Sequence, residues 1–554
     1  MTGNFSVREY AFFSAVGVLL FLFGQAGLPV AHYFYDAVAI RDTGTFMASL
    51  ATDPYALSTF VTLAFSHHEG SIQFLLLNLY CFLVGDSWPL NPSTMQLPNT
   101  VLAVFAAVFC FLIAKKLLGI RFAYCSAAVF VLGPWLAFTI RLPWYFDTLS
   151  CLLHFSTMYF FVSLMYDPQS GFYRVAAPIS LSLYLLTGLD WPCFIPCLLF
   201  FVLVSRQTAG FAKNPYFLLP VLTVLVLGVW QVIVYLKLGK PTLGYSRLIY
   251  PFWSFLNYIK FNSWSSIWNS VILPWGPQML LAGAGGLLYV FTKRKLWLND
   301  RVRSGLFDTM CLWLVISAPA LFISAGSATY LYVLAMPSAI LSGLALAQMR
   351  KALVVTCVLA LAISQVYFVT DKQFAFQGDQ KQRVLAAASY LIEQRPDLLV
   401  DGRTAVVAGF DSAAALQYAR PRSIGVIVGV DFPVRYESVR NYCMATGACS
   451  VVDLAGQQRR IVHPWFIVDT SLLSEKNTLR AYWFKLLQEP HIRWIAQFRE
   501  STGDVIYIGE PAPGPNGSAY EAPTIDVAKL SQYYSEKYDR LSFLKKNLEY
   551  VYHY

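Results

Sequence analysis

Long apolar runs alternate with short polar stretches through the first two thirds of the chain. Runs near spanning length lie at 11–31, 99–118, 122–140, 148–166, 174–190, 191–205, 216–237, 274–292, 307–325, 328–348 and 351–370. About 20 predominantly apolar residues carry a helix across a hydrocarbon core. The pattern therefore predicts eleven transmembrane helices. The fifth and sixth runs are short and joined by GLDWP, which leaves their boundary the least defined.

The polar stretches carry a directional signal. Arg8, Lys115-Lys116-Arg121, Arg174, Arg206-Lys213, Lys293-Arg294-Lys295-Arg301-Arg303 and Arg350-Lys351 all fall on one side of the alternation. An excess of Lys and Arg marks the cytoplasmic side. One further apolar stretch, 71–86, fits only as a helix lying in the outer interface. Counted as a span, it would reverse the sign of every later loop. Segments 32–98, 141–147, 238–273 and everything after 371 then lie outside the cytoplasm. The opening MTGNFSVREY has one Arg before the first run and no small-residue cleavage site, so a retained first helix is expected.

After residue 370 the pattern changes to mixed and charged. KQRVLAAASYLIEQ and AYWFKLLQ have helical periodicity, whereas TAVVAGF, IGVIVGV and DVIYIGE have strand character. The expected organisation is a polytopic α-helical membrane region over 1–370, an exported (periplasmic) α/β domain over 371–510, and a linker and polar tail over 511–554. PAPGPNGSAYEAP opens that last part.

Composition agrees: of 554 residues 57% are hydrophobic and 13% charged, against about 25% charged in an ordinary soluble domain. The net charge of +10 is accounted for by topology. No basic patch interleaved with stacking aromatics accompanies it, which argues against nucleic acid as a partner. Of the 10 cysteines, only Cys443 and Cys449 stand in a polar loop, NYCMATGACS. A loop facing an oxidising compartment would pair them as a disulfide. The others read as small buried hydrophobes.

Candidate chemistry lies on the outer loops. The first offers Asp36, Arg41 and Asp42; the second, TIRLPWYFDTLS, offers Arg141 and Asp147; the third offers Lys240, Arg247 and Tyr250. Charged groups at a membrane boundary are ordinary when solvated and costly when buried. The plain alternatives are solvated carboxylates for Asp36 and Asp42, and a structural pair on a short turn for Arg141 and Asp147. Lys237, Lys240 and Arg247 can snorkel to headgroup level, and Asp190-Trp191 fits a structural turn. His67-His68-Glu69 stands at the lip of 71–86, where Glu69 suits a helix N-terminus. Two adjacent histidines cannot share one helix face, which argues against a two-histidine metal site.

HHEGSIQFLLLNLYCFLVGDS, then LPNTVLAVFAAVFCFLIAKKLLGIRFAYCSAAVFVLGPWLAFTIRLPWYFD, and later SATYLYVLAMPSAI resemble, in that order, elements of the GT-C glycosyltransferases. The likeness is to the group of the lipid A aminoarabinose transferase and the protein mannosyltransferases, and it covers roughly residues 10–370. It implies a GT-C-like fold, a polyprenyl-phosphate sugar donor, and a periplasmic acceptor such as lipid A, another glycan or a protein like pilin. It also implies a bacterial inner (cytoplasmic) membrane location and a catalytic Asp in the first outer loop. FYDAVAI fits the approach to that Asp at Asp36, while Asp42 with Phe46 four residues on fits its aromatic spacing. Both stay open, with Asp42 favoured. Neither is followed by the family's usual Glu. The Pro-Pro that opens the family's interfacial helix is replaced by His68-Glu69-Gly70, so His67 or His68 would stand in for its lysine.

On this reading a carboxylate accepts the proton of the attacking acceptor hydroxyl. Arg141, Lys240, Arg247 and Tyr330 would stabilise the departing phosphate. A divalent metal, through Asp147 or Glu69, is compatible with the sequence but not demanded by it. The alternatives are a lipid-linked glycan transporter or flippase and an oligosaccharide ligase. A transporter tends to show matching broken helices in two halves, a pairing this sequence lacks.

Overall fold

A computed structural model of the protein describes residues 6–25, 76, 92–133, 136, 140, 146–187, 191–205, 214–238, 273–296, 300–323, 332–370, 404–408, 427–429, 449–452, 458–461, 463–473, 487, 492–499 and 505–511. Among them are eleven α-helices: α1 (Val7–Gln25), α2 (Pro92–Leu118), α3 (Ile120–Val131), α4 (Phe146–Tyr166), α5 (Gly171–Thr187), α6 (Trp191–Val204), α7 (Leu218–Leu238), α8 (Leu273–Leu296), α9 (Arg301–Ile323), α10 (Ala335–Gln348) and α11 (Lys351–Thr370). Each sequence-predicted run has its helix, and the fifth and sixth are separate. Two stretches, Leu97–Leu118 and Thr148–Tyr166, are long and apolar enough to cross a membrane by length and composition.

The ends differ from the apolar runs for local reasons. Helix α2 starts earlier, at Pro92, because a proline at the first helical position costs no hydrogen bond. Helix α9 starts at Arg301 because Asp300 caps it, its carboxylate accepting the Arg303 N–H at 3.0 Å. Helix α3 stops at Val131, ahead of the Gly133-Pro134 dipeptide. A residue before proline is pushed away from helical geometry. At the α2–α3 turn the chain needs a left-handed residue, and Gly119 supplies it at φ 87°.

Helices α4 and α10 form the centre. Every residue of α10 from Ala335 to Leu346 is buried, and α4 is buried on nearly all sides. Helix α10 packs against α3, α8 and α9, and α4 against α2 and α5. In lipid, helix association depends on close packing and polar contacts. The small residues of AMPSAILSGLALAQ allow the first. Gln278 supplies the second, its side-chain amide donating to Ser338 Oγ at 2.8 Å and its backbone carbonyl accepting from Ser342 Oγ at 3.2 Å. Helix α7 lies at the rim beside α5, with Leu218, Val221, Leu225 and Val229 exposed.

The later part of the chain holds strands β1 (Thr404–Ala408), β2 (Ile427–Gly429), β3 (Cys449–Val452), β4 (Gln458–Ile461), β5 (His463–Asp469), β6 (Ile492–Arg499) and β7 (Val505–Pro511). One sheet runs β2-β1-β5-β7-β6, and β3 pairs with β4. Strand β1 is parallel to β2 and β5, while β7 is antiparallel to β5 and β6. TAVVAGF, IGVIVGV and DVIYIGE contain β1, β2 and β7; β3 to β6 were not anticipated. Of the two amphipathic segments, only Leu487 is described, and it is helical. Segments 511–554, beyond Pro511, and 71–86, apart from helical Leu76, lie outside the described residues.

Candidate active site

Three of the basic residues that the alternation placed on one side, Lys115, Lys116 and Arg121, lie at one end of the described bundle. Lys115 of α2 pairs with Glu9 of α1. Glu9 and Ser6 also form a reciprocal cap, with the Ser6 N–H on Glu9 Oε2 at 2.7 Å and the Glu9 N–H on Ser6 Oγ at 3.3 Å. Lys116 donates to Ser163 Oγ at 3.0 Å and lies over Tyr159, Tyr166 and Tyr173, with Nζ 5.9, 5.7 and 5.1 Å from the ring centroids. Tyr166 donates to Asp300 at 2.9 Å, and the Arg121 guanidinium donates to the Met349 carbonyl. The end of α4 thus meets the start of α9, and the start of α3 meets the end of α10.

A cation among three rings gains roughly 0.5–2 kcal/mol. Lys116→Met keeps the apolar stem and loses the charge, so it is expected to destabilise the bundle by about that amount. Thermal unfolding in detergent checks this: Lys116→Met should melt below wild type, and Lys116→Arg should recover part of the loss.

The opposite half of the bundle is built around His154. Its imidazole is fully buried, with ring centroids of Phe194, Tyr184, Trp313 and Tyr332 at 4.8, 5.3, 5.3 and 5.9 Å. These rings come from the end of α5, the start of α6, the middle of α9 and the turn before α10. The cluster therefore brings the N-terminal parts of α4, α6 and α10 to one level. Sequence reading passed over His154, a lone histidine within an apolar run. The signal available was the spacing Ser150, His154, Thr157, which puts three polar residues on one helix face.

Of the expected site residues, Asp147 is placed by the backbone, as the second residue of α4. A carboxylate in that first turn is favoured by the helix dipole. Tyr330 lies outside the described residues, two positions before the turn at Tyr332 that enters α10. Tyr332 stacks on His154, which lies two turns into α4 from Asp147. Asp36, Asp42, His67, His68, Glu69, Arg141, Lys240 and Arg247 lie outside the described residues. So does Cys443, while Cys449 is placed only as the first residue of β3. Among the described residues no group of three or more His, Cys, Asp or Glu comes together as a metal site.

This helical arrangement is the GT-C fold of membrane transferases. ArnT from Cupriavidus metallidurans bound to undecaprenyl phosphate superposes with a TM-score of 0.55 over 91% of this chain and 98% of its own, at 13% identity. The same protein in the apo state gives 0.53 over 90% and 97%, also at 13% identity. The oligosaccharyltransferase of Archaeoglobus fulgidus in the apo form gives 0.52 over 97% of this chain and 79% of that one, at 13% identity. At such identity the likeness is one of fold. No protein-family model and no curated protein matches the sequence.

Proposed function

We propose that the protein is a membrane glycosyltransferase moving a sugar from a polyprenyl-phosphate donor to a periplasmic acceptor, whether lipid A, another glycan or a protein such as pilin. The observation that carries this reading is the fold shared along 91% of the chain with a structure holding undecaprenyl phosphate. The end of the bundle bearing Lys115, Lys116 and Arg121 faces the cytoplasm of a bacterial inner membrane. The end bearing Asp147 faces outward, and the strands after residue 403 belong to an exported domain.

The reaction is a direct displacement at the anomeric carbon. The acceptor hydroxyl attacks, the bond to the phosphate oxygen breaks, and Asp42 or Asp36 accepts the hydroxyl proton. Charge accumulates on the departing polyprenyl phosphate, where Arg141, Lys240, Arg247, Tyr330 and His67 or His68 supply preorganised cations and donors. Asp147 and Glu69 are the carboxylates that would hold a divalent metal.

Native mass spectrometry of gently extracted protein tests the donor. A co-purified prenyl-phosphate sugar, or binding of added polyprenyl phosphate, is the expected result. Retention of ordinary phospholipids alone, even with excess polyprenyl phosphate, overturns the reading. Thiol labelling of folded protein isolated without reductant tests the sidedness. Cys443 and Cys449 are expected to be protected as a disulfide, and two free thiols would count against an exported domain.

A second reading, transfer of a whole lipid-linked oligosaccharide, is favoured by the similarity to the oligosaccharyltransferase of Archaeoglobus fulgidus. The mass of the co-purified donor separates the two.

A further inference from the structure

Helices α4 and α9 run antiparallel in a register fixed at two points. Tyr166, at the end of α4, donates to Asp300, just before α9. Twelve residues back, His154 meets Trp313 ring to ring at 5.3 Å. Ser150 and Thr157 lie one turn to either side of His154 on α4, as Ser317 and Thr309 do of Trp313 on α9. The antiparallel sense puts Ser150 and Ser317 toward one end, and Thr157 and Thr309 toward the other. All six are buried, at 0–1% exposure. Together they make a polar stretch inside a largely apolar bundle. Asp147 is the second residue of α4, one turn before Ser150 along the backbone.

Four members of the stretch have polar atoms that find no hydrogen-bond partner among the described residues: Ser150 Oγ, Thr157 Oγ1, Ser317 Oγ and Trp313 Nε1. Thr309 Oγ1 donates to the Gly305 carbonyl at 2.7 Å and keeps its acceptor capacity. Burying such a group dry is costly, and most so at membrane depth, where no solvent relieves it. Isolated buried hydroxyls occur elsewhere, at Ser126 and Ser205. Here four unpaired groups lie on the two stretches that meet at His154 and Trp313, three hydroxyls that donate and accept and one indole that donates. Such groups, one turn apart, are the kind of polar partner that successive buried waters take.

We propose that the α4–α9 seam is a hydration site, holding ordered water that runs from the Asp147 end of α4 past Ser150 and Ser317 to His154 and Trp313. The proposal stands on these two helices and not on the glycosyl-transfer reading. X-ray radiolytic labelling of the full chain in nanodiscs tests it, because radicals formed from a bound water modify the side chain beside it. Trp313, although fully buried, is expected to be labelled in the wild type. The triple variant Ser150→Ala, Thr157→Val, Ser317→Ala is expected to lose that labelling and to melt below wild type, since the water loses its partners. An unlabelled Trp313 in the wild type overturns the proposal without recourse to any variant. So does a triple variant that melts above wild type, the result expected if dry, unpaired hydroxyls had been removed.

Discussion

Replacing the proposed catalytic carboxylate by its amide is expected to abolish transfer without disturbing the fold. Asp42→Asn and Asp36→Asn each preserve size and hydrogen bonding while removing the capacity to accept a proton. A positioned general base contributes on the order of 10²–10⁴-fold to rate, so the variant that removes it should fall by that factor. Expression and melting should stay at wild-type level, because the sequence pattern puts both residues in a polar stretch after the first apolar run. The pair also resolves the choice between them, since the substitution at the non-catalytic position should leave most activity. Wild-type rates in both variants, measured with the donor that co-purifies, would refute the mechanism.

How much of this was legible in the sequence follows from the physics of each element. A buried or lipid-facing helix needs a continuous apolar stretch, so the eleven helices among the described residues could be counted from the runs alone, although only two are long and apolar enough to cross a membrane. Helix ends depend on single residues, such as Pro92 and the Asp300 cap, and shifted accordingly. Strands β5 and β6 escaped notice for different reasons. HPWFIVD carries a proline, usually a sign against a strand. IRWIAQFR loses its strict alternation at a register shift between Trp494 and Ala496. His154 was missed because the only local signal, its helical spacing with Ser150 and Thr157, is weak, and its meaning comes from the rings that four other segments bring to it. The clustering of Lys115, Lys116 and Arg121 at one end of the bundle was legible in the alternation of polar stretches, and the sidedness read from it stands as a proposal. The outer-loop carboxylates were found by chemistry and family resemblance, and their roles stand as proposals.

The largest effect on stability is expected where α10 lets its neighbours touch its backbone. In α8, a Cβ added at Gly285 would overlap the Leu341 carbonyl of α10, lying 2.6 Å from its carbon and closer still to its oxygen. A Cβ at Gly343 would lie 2.8 Å from Ser126 Cα and 2.9 Å from Ser126 Cβ in α3. Glycine inside a helix ordinarily costs about 1 kcal/mol relative to alanine, so propensity alone predicts that Gly285→Ala stabilises. Contact with a rigid backbone reverses the sign, because α8 must move off α10 and forfeit the close packing that holds helices together in lipid. Overpacking of this kind costs roughly 1–3 kcal/mol, and backbone partners that cannot rotate away place Gly285→Ala at the upper end. Gly283, two residues earlier on the same helix, has open space around its Cβ position. Gly283→Ala should therefore melt at or above wild type while Gly285→Ala melts well below it. The same logic makes Gly343→Ala partly rescuable: Ser126→Gly removes the Oγ and Cβ but leaves the Cα in place. Equal melting of the Gly283 and Gly285 variants would mean that α8 and α10 are not in backbone contact, and the central position assigned to α10 would fall with it.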